Sequence, residues 1–146
     1  MPIPALQALP PGVVNLQDHE DAARQRLDAN AWAYFAGGAG DEITVRANRS
    51  AWDGLTLTPR VLRPLVGGHT RCTLLGRTLA HPIMLAPVAF QRLAHPDGEL
   101  ASAYAAAMLG AGQVLSTQSS IALETIAQTV LPEPTRGPLW FQLYPQ

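Results

Sequence analysis

No lysine occurs anywhere in the 146 residues; all ten basic residues are arginine. Any chemistry that needs a lysine is therefore incomplete within this chain, although a compositional bias of the coding sequence explains the gap more simply than function does. Cysteine is almost as scarce. Cys72 stands alone, which excludes an internal disulfide framework and a cysteine-rich metal site, and makes a reducing, cytoplasmic setting the expectation. Neither charge dominates: the net value of −1 leaves no electrostatic footprint for nucleic acid or an anionic membrane. No apolar run approaches the ~20 residues of a membrane span. The apolar, proline-rich start from Met1 to Gly12 has no basic residue ahead of its apolar part, unlike a secretory signal. Membrane association through anything beyond Gln146 stays open. With 47% hydrophobic and 14% charged residues, the chain suits one soluble globular unit with an ordinary core.

What is there is organised around Pro82-Ile83-Met84-Leu85-Ala86-Pro87-Val88-Ala89. Its apolar side chains do not alternate with polar ones, the pattern of a strand buried on both faces, and such strands belong mostly to parallel sheets. Pro87 cannot donate to a ladder, so the strand is expected to stop there and turn through Val88 and Ala89. Backbone groups are then left free at the C-terminal end of a parallel strand, where α/β folds place their ligands.

Ahead of this stretch, prolines 2, 4, 10 and 11 and Gly12 predict an irregular arm to about residue 16. A helix capped by Asp18 is expected to run to Gly37 and Gly38, with Leu27, Ala31 and Tyr34 on one side. A second, capped by Asp41, should reach about Trp52, followed by a short strand at Leu55-Thr56-Leu57-Thr58. Residues 71–75 and 77–80 around Gly76 read as a hairpin that could plug the bottom of a barrel. Downstream, Pro96 and Asp97 start an alanine-rich helix from Glu99 to Leu109, closed by Gly110 and Gly112. Val114-Leu115-Ser116 is a second buried strand, and Ser119 or Ser120 is expected to cap a helix carrying Leu123, Ile126 and Val130 on one face. Residues 140–144 form a third strand. This succession predicts right-handed βαβ units and a parallel sheet.

An eight-stranded barrel takes ~250 residues, so the expected architecture is the front of a (β/α)8 TIM barrel, with the sequence truncated at Gln146. Residues 1–66 would be an arm and helical cap, 67–81 the hairpin, and 82–146 the first three strands and two helices. A complete three-stranded sheet covered by helices is the alternative.

Several segments together resemble the FMN-dependent α-hydroxy-acid dehydrogenase and oxidase family, which includes glycolate oxidase, lactate oxidase and mandelate dehydrogenase. They are Tyr34-Phe35-Ala36-Gly37-Gly38-Ala39-Gly40-Asp41-Glu42, Asn48-Arg49, residues 82–89, Ala94-His95-Pro96-Asp97-Gly98-Glu99, Leu115-Ser116 and Phe141-Gln142-Leu143-Tyr144. Their order covers nearly the whole chain from about Val14 onward. The resemblance implies oxidation of a small L-2-hydroxy acid to the 2-oxo acid with FMN as cofactor, and oxygen, a quinone or a cytochrome as electron acceptor. It also implies a homo-oligomer, often a tetramer, for the full-length form.

By the same resemblance, Tyr34 and Tyr144 would meet the substrate, Tyr34 at its carboxylate. Pro87, Val88 and Ala89 form the turn whose backbone faces the flavin, with threonine common in the family where this chain has Val88. Ser116 and Gln142 would contact the flavin. Gln142 and Tyr144, two apart on a strand, share a side, while Phe141 and Leu143 point into the helix layer. No catalytic base is assigned within the chain: the family's histidine, arginine and lysine come from later strands. His95 reads as loop structure, and His19, His69 and His81 lack metal-ligand spacing. Gly37-Gly38-Ala39-Gly40 follows a helix and lacks the third glycine of a dinucleotide fingerprint. The isolated chain is accordingly expected to bind FMN weakly or not at all and to show no turnover. Two other readings stand beside this one. The chain is a catalytically inactive truncated remnant that at most associates with a full-length relative, or it belongs to another flavin- or phosphate-binding barrel, against which the Tyr34 and Gln142/Tyr144 segments argue.

Overall fold

The computed structural model describes Leu9 and residues 11–145. The chain divides into two compact units, one of residues 14–68 and the other built on residues from His69 onward, to which the described residues before Val14 also belong.

The first unit is three helices, α1 (Leu16–Arg24), α2 (Ala29–Ala36) and α3 (Ile43–Asp53). The single helix expected from Asp18 to Gly37 is thus two. Asp28 breaks it, because its carboxylate accepts hydrogen bonds from Asn30 N and Ala31 N at 2.9 Å and so caps a new helix. Asn15, not Asp18, caps α1: its Oδ1 accepts from Asp18 N at 3.0 Å, while the Asp18 carboxylate returns a bond to Asn15 N at 3.1 Å. The start of α3 is likewise not capped by Asp41. Glu42 occupies that position without a side-chain cap, and its carboxylate instead accepts from Gly38 N at 3.0 Å. Residues 55–58 form no strand, since no described strand pairs with them and Leu57 is 95% exposed. The arm expected at the start falls largely on residues 1–8 and 10, outside the described residues.

In the second unit, β1 (Cys72–Leu74) and β2 (Arg77–Leu79) make the expected antiparallel hairpin about Gly76. A separate parallel sheet follows in the order β3 (Met84–Leu85), β4 (Gly112–Leu115), β5 (Leu139–Phe141). Helix α4 (Gly98–Met108) connects the first pair and α5 (Leu123–Val130) the second. The core lies between these helices and the sheet, where Leu100, Ala103, Ala107, Leu115, Ile121, Ile126 and Val130 cluster and Leu139 packs against them.

Both outer strands are shorter and more open than the sequence implied. Ile83 is 63% exposed and Leu85 half-exposed, so β3 is not buried on both faces; β4 is its only strand neighbour among the described residues. β5 stops at Phe141 because β4 ends at Leu115, and the last bond between them runs from Gln142 N to Leu115 O at 2.8 Å. Phe141 and Leu143 are exposed rather than packed into a helix layer. Gly112 opens β4 instead of closing α4. Neither Ser119 nor Ser120 caps α5; Ala122 holds the cap position and offers no side-chain cap. Their hydroxyls are engaged elsewhere: Ser119 Oγ donates to Ser116 O at 2.9 Å and Ser120 Oγ accepts from Arg92 N at 3.3 Å. Among the described residues, no helix is long and apolar enough to cross a membrane.

Candidate functional site

Parallel pairing places the C-terminal ends of β3, β4 and β5 on one side of the sheet, and hydrogen bonds join the three loops that leave them. The β3 loop reaches the β4 loop through Phe90 N donating to Gln118 O at 3.1 Å. The β4 loop reaches the β5 end through the Thr117 hydroxyl, which donates to Gln142 O. Pro87, Val88, Ala89, Ser116, Gln142 and Tyr144 all lie on this side, in the unit that holds the sheet.

Pro87 and Ala89 are half-buried and Val88 is exposed. Among the described residues, the amides of Val88 and Ala89 donate to no acceptor, as a chain leaving its ladder at a proline should leave them. Ser116 is buried, and its Oγ accepts from Gln118 N at 3.1 Å, the turn-forming use that a serine after a strand favours. The hydroxyl proton remains to be donated. Gln142 is half-buried, and its side-chain amide has no partner among the described residues, leaving two donors and one acceptor. Tyr144 is exposed.

Tyr34 lies on α2 in the other unit, with its ring edge-on to Phe35 at 5.1 Å between centroids. Within that helix Ala31 is buried and Tyr34 is 47% exposed, so the phenol is on the accessible side. His95 turns back on its own loop, with Nδ1 accepting from Asp97 N at 3.2 Å. Among the described residues, no three His, Cys, Asp or Glu side chains gather as a metal site.

The donor set fits a planar heterocycle whose edge carries both N–H and C=O groups. Unused backbone amides sit beside a small Ala89, a side-chain amide offers both polarities, and a serine hydroxyl retains its proton.

Sequence reasoning missed the residues beneath this surface. Glu99 is completely buried, and its Oε1 accepts from Gln91 N at 3.1 Å and Ser120 N at 2.8 Å. Gln91 Nε2 donates to Val88 O at 3.3 Å, and Gln91 Oε1 accepts from Ser102 Oγ at 2.6 Å. Glu99 closes one of the segments that carry the family resemblance, but as a carboxylate in the first helical turn after Gly98 it reads equally well as a solvated dipole partner.

The chain is similar to known proteins over most of its length. Residues 23–146 match the family described as FMN-dependent dehydrogenase. An L-lactate oxidase of Alicycliphilus denitrificans is 52% identical over 139 residues, covering 94% of this chain and 36% of the relative. A 4-hydroxymandelate oxidase of Amycolatopsis orientalis is 44% identical, covering 90% of this chain and 35% of the relative. A crystal structure of mandelate oxidase superposes with a TM-score of 0.81 at 43% identity, covering 90% of this chain and 37% of that one. The chain thus spans about a third of the length of the curated relatives it matches. Its three parallel strands and their helices are part of a (β/α)8 barrel.

Proposed function

This chain belongs to the FMN-dependent dehydrogenase family, and from that premise we propose that it supplies the first part of the flavin and substrate site of an enzyme oxidising an L-2-hydroxy acid to the 2-oxo acid. FMN is the cofactor of the family, and when bound it accepts the two electrons of that oxidation. The observation that carries the reading is the set of unused polar groups at the C-terminal ends of β3, β4 and β5, where barrel enzymes build their sites.

In this reading Ala89 N, and with it the backbone of Pro87 and Val88, faces the flavin ring. Gln142 presents its amide to the ring edge, and Ser116 donates its hydroxyl proton to the same group. Tyr34 and Tyr144 offer phenol donors to the substrate, Tyr34 to the carboxylate. The histidine base that the family resemblance implies for proton removal is not among these residues. The proposed setting is cytoplasmic, and the proposed full-length assembly is a homo-oligomer.

A flavin titration of the purified chain tests the division of labour. Weak binding or none, without turnover on lactate, glycolate or mandelate, is expected, because the cationic groups for the phosphate and the reduced ring are not among the residues assigned here. Tight, stoichiometric binding would contradict it. One observation favours a second reading: among the described residues the outer edges of β3 and β5 pair with no strand. In that reading the chain is an inactive remnant that associates with a full-length relative, and co-purification with such a relative without gain in turnover would support it.

A further inference from the structure

The loop after β3 is held in place by polar groups that the proposed site does not use. Glu99 sits in the first turn of α4 with no exposed surface, a rare position for a carboxylate unless it has partners. Both of its hydrogen bonds come from backbone amides, one in each of the two strand-end loops: Gln91 N after β3 and Ser120 N after β4. Its second oxygen, Oε2, has no partner among the described residues. The carboxylate is therefore oriented by those two amides alone. Gly98 lets this happen. Its φ is +45°, and a Cβ there would come within 2.9 Å of Arg92 Cγ and 3.3 Å of Arg92 N, so a larger residue would push the β3 loop off the helix start.

Gln91 extends the tie to the candidate cofactor surface. Its backbone is fixed by Glu99, its side-chain oxygen by Ser102 of α4, and its Nε2 donates to Val88 O. The Val88–Ala89 peptide is trans, so fixing the Val88 carbonyl fixes the Ala89 N–H in the opposite direction.

We infer that Glu99 and Gln91 are positioning residues: a clamp anchored on the buried Glu99 carboxylate that locks the β3 loop to the β4 loop and sets the direction of the Ala89 amide. The inference rests on the reading of Ala89 as the amide that meets the flavin, and it adds what holds that amide in place. Glu99→Gln keeps an oxygen acceptor and preserves the clamp. Glu99→Leu fills similar volume with no acceptor and leaves two partly buried amides unpaired.

Amide hydrogen exchange on the whole chain without flavin separates this from simple packing. For Glu99→Leu, exchange at Gln91 and Ser120 is expected to rise about tenfold or more, the Ala89 amide resonance to shift, and the hairpin and α5 to keep their protection. Glu99→Gln should return all three to wild-type behaviour. Unchanged exchange in Glu99→Leu, or failure of Glu99→Gln to rescue, would overturn the clamp.

A second measurement needs no variant and stands even where Glu99→Leu fails to fold. Through-hydrogen-bond couplings from both Gln91 N and Ser120 N to the Glu99 carboxyl carbon are expected in the wild-type chain, and absence of either would overturn the inference. Because both readouts omit flavin, an intact clamp in a chain whose FMN-induced shifts fall on surfaces away from Ala89 overturns the proposed function alone. Flavin-induced shifts at Ala89 with unclamped loops overturn the clamp alone.

Discussion

Among the described residues, ten of the eleven buried hydrophobics belong to the sheet-bearing unit, and Ala31 alone belongs to residues 14–68. The two regions are therefore made in different ways. Around the sheet, α4 and α5 owe their place to a shared apolar core, and α5 forms with no side-chain cap at all. In residues 14–68 the helices are set by local hydrogen bonds, an Asn15–Asp18 capping box and the Asp28 cap. Trp52, Val61, Leu62 and Val66 there lie largely exposed. Stability in the first region is collective; in the second it is local, and that contrast can be broken one residue at a time.

The largest effect is expected in the core. Ile126 has no exposed surface, and Ile126→Ala should lower stability by about 2–5 kcal/mol in chemical denaturation, through lost burial plus the cavity left behind. A core made only of interchangeable surface contacts would show far less. Gly137→Ala comes next. A Cβ there would lie 2.5 Å from backbone atoms of Ala111 and Gly112, which cannot yield as a flexible side chain would. A loss of about 1–3 kcal/mol is expected from the forced backbone shift, and an unchanged midpoint would mean that the strands have room to part.

Smaller still is Asp28→Ala, which removes the acceptor of two α2 amides and should cost about 1 kcal/mol. Its signature is local: faster exchange in residues 30–32 with α4 and α5 untouched. The least effect belongs to Leu57→Ser at a 95% exposed position, where a change within about 0.5 kcal/mol is expected. A larger loss there would show that residues 14–68 have a packing role the local account omits.

The same contrast explains what could be read from the sequence. The order of strands and helices in the second unit was legible because Pro82, Pro87, Gly110 and Pro132 punctuate it and because Leu123, Ile126 and Val130 repeat at helical spacing. Element ends were not legible where a partner decides them. β5 is cut short by the turn at Ser116, and Ser119 and Ser120 serve neighbouring loops rather than the helix they precede. Asp28 was missed as a cap because the spacing of Leu27, Ala31 and Tyr34 carries through the break as if it were one helix. Of the site, the residues that would face the flavin could be named from motifs. The tie made by Glu99 and Gln91 could not, although Glu99 stands in a matching segment, since neither burial nor a bond to a distant amide leaves a mark in composition.

The most direct test of the central claim is to follow the amide resonances of the whole chain while FMN is added to high concentration. The account predicts weak, saturable shifts centred on Val88, Ala89, Ser116 and Gln142, with the hairpin at 72–79 unaffected. Shifts confined to other surfaces, or tight stoichiometric binding, would contradict it.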